Sequence, residues 1–230
     1  MSMNTLRSTL IASFALSMVA FAQPNATVDT QYQVRYISNL NLGDSVINIT
    51  NSGARGAGLA AGTSASTTGA ICVNVYAFSP DEQMISCCSC PVTPNGLVSL
   101  SARRDLVNNT LTPAVPTSIV VKLVATVPVL NSCAGSAANW GLPVFPATTP
   151  LISGMLAWGT TVHAGAAPGS AAVITETPFL PATLSGPGNV AIDIGETRRL
   201  QDLCTFIQAY GSGFGICSTC RLGGLGAGRL

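Results

Sequence analysis

Charged side chains are scarce in this chain: ten basic and nine acidic residues serve 230 positions, and only one residue is lysine and one histidine. Proteins that grip nucleic acid carry a basic surface to meet phosphates, and a polybasic membrane contact needs clustered Lys or Arg. Neither is present. Long apolar runs are also missing beyond the first residues. The best later stretch, Ser118–Leu130, is interrupted by Lys122 and Pro128, and a bilayer span needs ~20 apolar residues. There is no repeat of fixed period. No G-x-S-x-G elbow marks a nucleophile. The glycines of Gly211-x-Gly213-x-Gly215 lack the strand before and the helix after that a dinucleotide loop requires.

With so little charge, Ser, Thr, Asn, Gln and Gly must cover the surface. A near-neutral surface gives weak colloidal repulsion and favours association. Disorder is excluded by the 47% hydrophobic content, since disordered chains are charged and poor in apolar residues.

The start of the chain reads as an export signal. Arg7 is the sole charge before Asp29, Leu10–Phe21 is apolar apart from Ser13 and Ser17, and Ala20-Phe21-Ala22 offers small residues at the two positions a signal peptidase inspects. Residues 1–22 are therefore expected to be removed, with the cut before Gln23. Arg7 leaves with them, so ten basic residues become nine, against nine acidic.

Eight cysteines follow: Cys72, Cys87, Cys88, Cys90, Cys133, Cys204, Cys217 and Cys220. An even count in an exported chain reads as a disulfide framework. Eight cysteines allow 105 pairings, so spacing alone leaves the connectivity open. Ala70–Phe78 and Gln83–Cys90 read as a hairpin around Ser79-Pro80-Asp81-Glu82, whose register brings Cys72 opposite the Cys88–Cys90 stretch. A link from the Cys87–Cys90 cluster to Cys217 or Cys220 would close a loop of more than 100 residues, worth ~4–5 kcal/mol in the chain-entropy model.

Alternation and β-branched content predict strands over Gln31–Ile37, Ser45–Thr50, Ile71–Phe78, Gln83–Cys90, Gly96–Leu100, Ser118–Val127, Met155–His163, Val173–Phe179 and Val190–Ile194. Ser118–Val127 is apolar on both faces and reads as central. Asn51–Thr68 reads as a loop or small-residue strands, and Asn131–Pro150 as an internal linker. Many short strands parted by Pro and Gly suggest a β-sandwich or jelly-roll-like fold. One segment differs. Glu196–Tyr210 places Leu200, Leu203, Cys204 and Ile207 at helical spacing before Gly211, which predicts one C-terminal helix tied down through Cys204. The expected organisation is a signal over 1–22, one β-rich domain over 23–220, and a Gly-rich flexible tail over 221–230.

The blocks Ile71-Cys-Val-Asn-Val-Tyr-Ala-Phe78 and Ile85-Ser-Cys-Cys-Ser-Cys-Pro-Val-Thr-Pro-Asn95 resemble a group of uncharacterised secreted proteins of soil bacteria. So do Leu111-Thr-Pro-Ala-Val-Pro-Thr117 and Gly211-Ser-Gly-Phe-Gly-Ile-Cys-Ser-Thr-Cys220. The blocks amount to 36 residues, spread over positions 71–220. The resemblance implies export and a cysteine framework, and implies no activity, cofactor or site residue.

Chemistry-bearing residues point mostly to architecture. Cys87-x-x-Cys90 and Cys217-x-x-Cys220 invite a zinc reading. The gap between them far exceeds a zinc ribbon's ~15–20 residues, and Cys88 crowds the first pair. A redox motif would open a helix, whereas Cys87–Cys90 follows a strand and runs into Pro91. His163, the sole imidazole, reads as a strand-end residue. With Trp158 on the same strand it forms the candidate binding pair. Asp81-Glu82, the only adjacent acidic pair, sits in a turn, where solvated charge explains it better than glycoside hydrolysis. Sequons stand at Asn25, Asn48 and Asn108.

No catalytic, metal-binding or cofactor-binding residue emerges. The expected function is that of a secreted, non-enzymatic structural or cell-surface protein, open to self-association through sheet edges. The alternative is an extracellular binding module for glycan or protein, with Tyr32, Tyr36, Tyr76 or Trp140 as an exposed platform. A secreted hydrolase or redox protein stands third.

Overall fold

A computed structural model describes residues 31–56, 69–108, 114–128, 133, 136–139, 151–165, 170–184, 195–210, 215–217 and 221–222. The expected signal, Trp140, Cys220, the Val190–Ile194 strand and the last eight residues lie outside them. The ten strands are β1 (Tyr32–Ile37), β2 (Val46–Asn51), β3 (Ile71–Phe78), β4 (Met84–Val92), β5 (Leu97–Ser101), β6 (Ile119–Thr126), β7 (Met155–His163), β8 (Val173–Pro178), β9 (Leu180–Pro181) and β10 (Arg221–Leu222). Two helices, α1 (Ser136–Asn139) and α2 (Glu196–Tyr210), and a π-helical turn at Ala102–Leu106 complete the described elements.

The strands form two five-stranded antiparallel sheets, ordered β4-β3-β6-β1-β9 and β10-β5-β2-β7-β8. One hydrophobic core draws on both, including Val73, Val75, Val121 and Leu123 from the first sheet and Ile47, Ile49, Leu100 and Met155 from the second. The fold is a mainly β, sandwich-like domain stapled by disulfides, with a C-terminal helix. Chain parity explains the layers, because successive strand side chains point to opposite faces. Odd residues of β3 enter the inter-sheet core. Tyr76 and Phe78 point outward and meet Leu200, Cys204 and Ile207 of α2 in a second cluster. Every residue of β3 is buried for this reason. The uniformly apolar β6 lies in the middle of its sheet, between β3 and β1.

Helix α2 lies on the outer face of the first sheet. Lys122 of β6 pairs with Glu196 in the first turn of α2, and its ammonium stands 4.8 Å from the centre of the Phe78 ring. The guanidinium of Arg199 approaches the same ring at 5.5 Å. The one lysine of the chain thus anchors the helix start, where the helix dipole also favours a carboxylate.

The cysteines fasten these layers. Cys87 joins Cys204 on α2, Cys88 joins Cys217, and Cys72 joins Cys133, across sequence separations of 117, 129 and 61. Cys90 is disulfide-bonded as well. Cys87 and Cys88 are neighbours in sequence, yet strand alternation sends Cys87 outward into the helix layer and Cys88 inward into the core. A bond between the two is therefore not formed. Cys72 faces Pro91 in the β3–β4 ladder. This register sets it beside the Cys88–Cys90 stretch, but its partner comes from the segment after β6.

After α2 the chain turns along the free edge of β4. A parallel bridge joins Ile216 to Cys87, with Cys87 N donating to Gly215 O at 2.8 Å and Cys217 N to Cys87 O at 3.3 Å. Arg221–Leu222 then pair with β5 of the other sheet. Folded structure thus reaches Leu222, two residues into the expected tail. On the opposite flank, β8 of the second sheet leads into β9 of the first, and Phe179 between them is 1% exposed and plugs the core.

Candidate functional site

The polar interior lies where β1 faces the β7–β8 hairpin. Gln33, Arg35 and Ile37 of β1 share the inner face, and all three are buried. Gln33 Nε2 donates to Met155 O at 2.9 Å across the sandwich. Arg35 Nη1 donates to Thr177 Oγ1 at 2.6 Å and to the Thr177 carbonyl, and Nη2 donates to Thr161 Oγ1 at 2.9 Å. Burial lowers the Arg35 pKa, opposed by the charge of Glu176. The guanidinium fits because Gly159 lies beside it: a Cβ there would sit 3.1 Å from Val46 O and 3.3 Å from Arg35 Nε. Nε itself has no hydrogen-bond partner. A cleft of about 350 Å³ opens beside this bridge, walled by Val34, Tyr36, Pro178 and Leu180.

A second polar knot joins the sheets at the far end of β2. Asn51 is fully buried; its Nδ2 donates to Gly69 O at 2.8 Å and Val92 O at 3.0 Å, and its Oδ1 accepts from Gly53 N at 2.9 Å. Gly69 has φ +77°, and a Cβ there would meet Gly56 O at 1.8 Å, so only glycine fits.

Trp158 and His163 both lie on β7 but five positions apart, so they point to opposite faces. His163 Nε2 lies 2.8 Å from Thr175 Oγ1. This pairs an imidazole with a hydroxyl, and among the described residues no carboxylate hydrogen-bonds to the ring. A triad also needs that orienting acid. Trp158 is half-buried on the other face, in register with Asn48 of β2 and Pro178 of β8. Asn48 in turn faces Ser99 of β5, whose Oγ donates to Asn48 Oδ1 at 2.6 Å. Arg221, Ser99, Asn48, Trp158 and Pro178 thus form one row across the second sheet.

Of the aromatic platform, Tyr32 is 7% exposed and Tyr76 is fully buried, while Tyr36 is 61% exposed. Tyr76 donates its hydroxyl to Ala137 O at 2.7 Å. Burial, with the Glu196 charge adding, pushes the Tyr32 phenol up to about 12.

The remaining charges serve local structure. Asp105 Oδ2 accepts from Ser101 N at 2.7 Å and its Oδ1 pairs with Arg104 at 3.3 Å. Asp44 accepts from Arg103 N at 2.9 Å, and Asp81 is held below its usual range by the Ser79 hydroxyl. Among the described residues no three His, Cys, Asp or Glu side chains gather as a metal site. Cys87 and Cys90 point to opposite faces of β4, which by itself prevents a shared ion. No helix of the described residues is long and apolar enough to cross a membrane.

No known protein family, curated protein or solved structure matches this chain.

Proposed function

We propose that this protein is an exported structural or cell-surface domain that acts through its surface rather than through a reaction. The disulfide framework carries this reading. All seven described cysteines are disulfide-bonded, and such crosslinks persist in oxidising compartments. The N-terminal export pattern and the resemblance to secreted proteins support it. So does the use of polar side chains: Arg35, Asn51, Asp44 and Asp105 all hold backbone or hydroxyl groups in place.

Cell fractionation tests it. The chain should leave the cytosol, begin at Gln23, bind no zinc, and show no reactive thiol after unfolding without reductant. A cytosolic product with free thiols would overturn the proposal.

A second reading is favoured by one observation. On the second sheet's outer face Trp158 stands one strand in from the β8 edge, between Asn48 and Pro178, in a row that continues through Ser99 to Arg221 of β10. An indole beside amide and hydroxyl groups suits a hydroxyl-rich glycan. Affinity electrophoresis in polysaccharide gels should then show retardation that Trp158→Ala abolishes; equal mobility of both proteins in every gel would end this reading.

A further inference from the structure

The sandwich has four sheet edges, and they are treated unequally. The β4 edge is bridged by Ile216. β9 and β10 are two residues long, and β9 ends in Pro181. The edge strand β8 is different: six residues, every one exposed, with Val173 at 54% and Ile174 at 65%. An edge strand presents unpaired N–H and C=O groups, and proteins usually guard such edges with lysine, proline or a bulge. Here Lys122, the sole lysine, is held at α2. Glu176 is the one charge on β8, and proline enters only at the last position.

We infer that β8 is a self-association surface, pairing antiparallel with β8 of a second copy to join two five-stranded sheets into one. The partner is a second copy because the strand is self-complementary in one register. A twofold pair that keeps inner faces together must join residues of like parity. Centred on Glu176, it would set the two carboxylates opposite each other, which is destabilising. Centred on Ile174, it would lose the Thr177 pairing. Centred on Thr175, it pairs Val173 with Thr177, Ile174 with Glu176, and Thr175 with itself. Every strand residue from Val173 to Thr177 then has a partner, β-branched side chains meet on the inner face, and no like charges face each other. The mature chain's balance of nine acidic and nine basic residues opposes no such approach.

This inference deepens the surface-protein reading and is tested apart from it, on the purified, disulfide-intact mature protein. Sedimentation velocity from micromolar to near-millimolar concentration should show a reversible monomer–dimer equilibrium. Ile174→Glu places a carboxylate opposite Glu176 of the other copy, twice, and should raise the dissociation constant roughly tenfold or more. Ile174→Lys places an ammonium there and should keep or tighten the dimer, with greater salt sensitivity. The side chain is largely exposed, so both variants keep the fold. Thr175→Cys should crosslink copy to copy on mild oxidation, and Thr50→Cys should not. A monomer at all concentrations, or equal loss of the dimer in the Glu and Lys variants, would overturn the inference. Neither result bears on whether the chain is exported, which fractionation reads separately.

Discussion

Arg35 of β1 and Thr177 of β8 are joined across the sandwich by two hydrogen bonds, one to the hydroxyl and one to the carbonyl. The first sheet is thereby tied to a strand of the second that otherwise pairs only with β7. Arg35→Ala should remove these bonds and the one to Thr161, and open a cavity. A loss of about 2–4 kcal/mol in urea unfolding is expected: a charged hydrogen bond contributes about 1.5–3 kcal/mol, and the exposed Thr177 groups regain water once the arginine is gone. Gly159→Ala should destabilise in the same direction, because its methyl group crowds the guanidinium. Unchanged unfolding midpoints in both variants would show that the bridge contributes nothing.

Asn51 satisfies three backbone groups at once, on Gly53, Gly69 and Val92. Asn51→Ala strands two buried carbonyls and an amide, each worth about 1–3 kcal/mol when left unmade. Thermal melts should show a clear drop in Tm. Asn51→Asp, which keeps the acceptor and loses both donors, should be no better.

The Cys87–Cys204 crosslink closes a separation of 117 residues. Replacing both with Ala should cost about 3 kcal/mol in the chain-entropy model, because the adjacent Cys88–Cys217 bond already spans the stretch and leaves a loop of only about 15 residues to close. Amide hydrogen exchange should show α2 opening first. Non-reducing peptide mapping of the unaltered protein should return Cys72–Cys133, Cys87–Cys204 and Cys88–Cys217. By count, it should also return Cys90–Cys220.

Tyr32 gives a pH dependence at the alkaline end. Its phenol is raised from 10.0 to about 12 in the folded state, so the folded protein holds this proton more tightly than the unfolded chain. The resulting stability is complete below pH 10 and is lost as the pH rises through about 12. Tyr32→Phe should flatten that part of the stability curve and remove a late-titrating component from the phenolate absorbance. Equal alkaline loss in Tyr32→Phe would reject this assignment.

Strand and helix positions were readable in the residues because their periodicities are strong. Met155–His163 and Glu196–Tyr210 carry the observed boundaries, and the double-faced apolar Ile119–Thr126 stands in the middle of its sheet as its pattern implies. What parity could not tell was which face meets which layer. Tyr32, Val34 and Tyr36 make the more apolar side of β1, yet that side turns toward the helix layer and solvent. Gln33 and Arg35 point into the sandwich. Their partners lie on β7 and β8, more than 120 residues away, a separation over which local pattern carries no signal. The role of Asn51 is hidden in the sequence for the same reason. The residue begins a polar stretch that reads as loop, and its role appears only once β2, β3 and β4 are side by side. Trp158 and His163 were close in sequence, and the odd spacing between them was enough to separate them.

The back-to-back placement of Cys87 and Cys88 bears on how the molecule survives hydrolysis. Their bonds to residues 204 and 217 span the whole stretch between. A protease that nicks one loop between residues 89 and 203 therefore releases no fragment, since both pieces stay covalently joined at two points. Damage of that kind would pass unseen on a non-reducing gel.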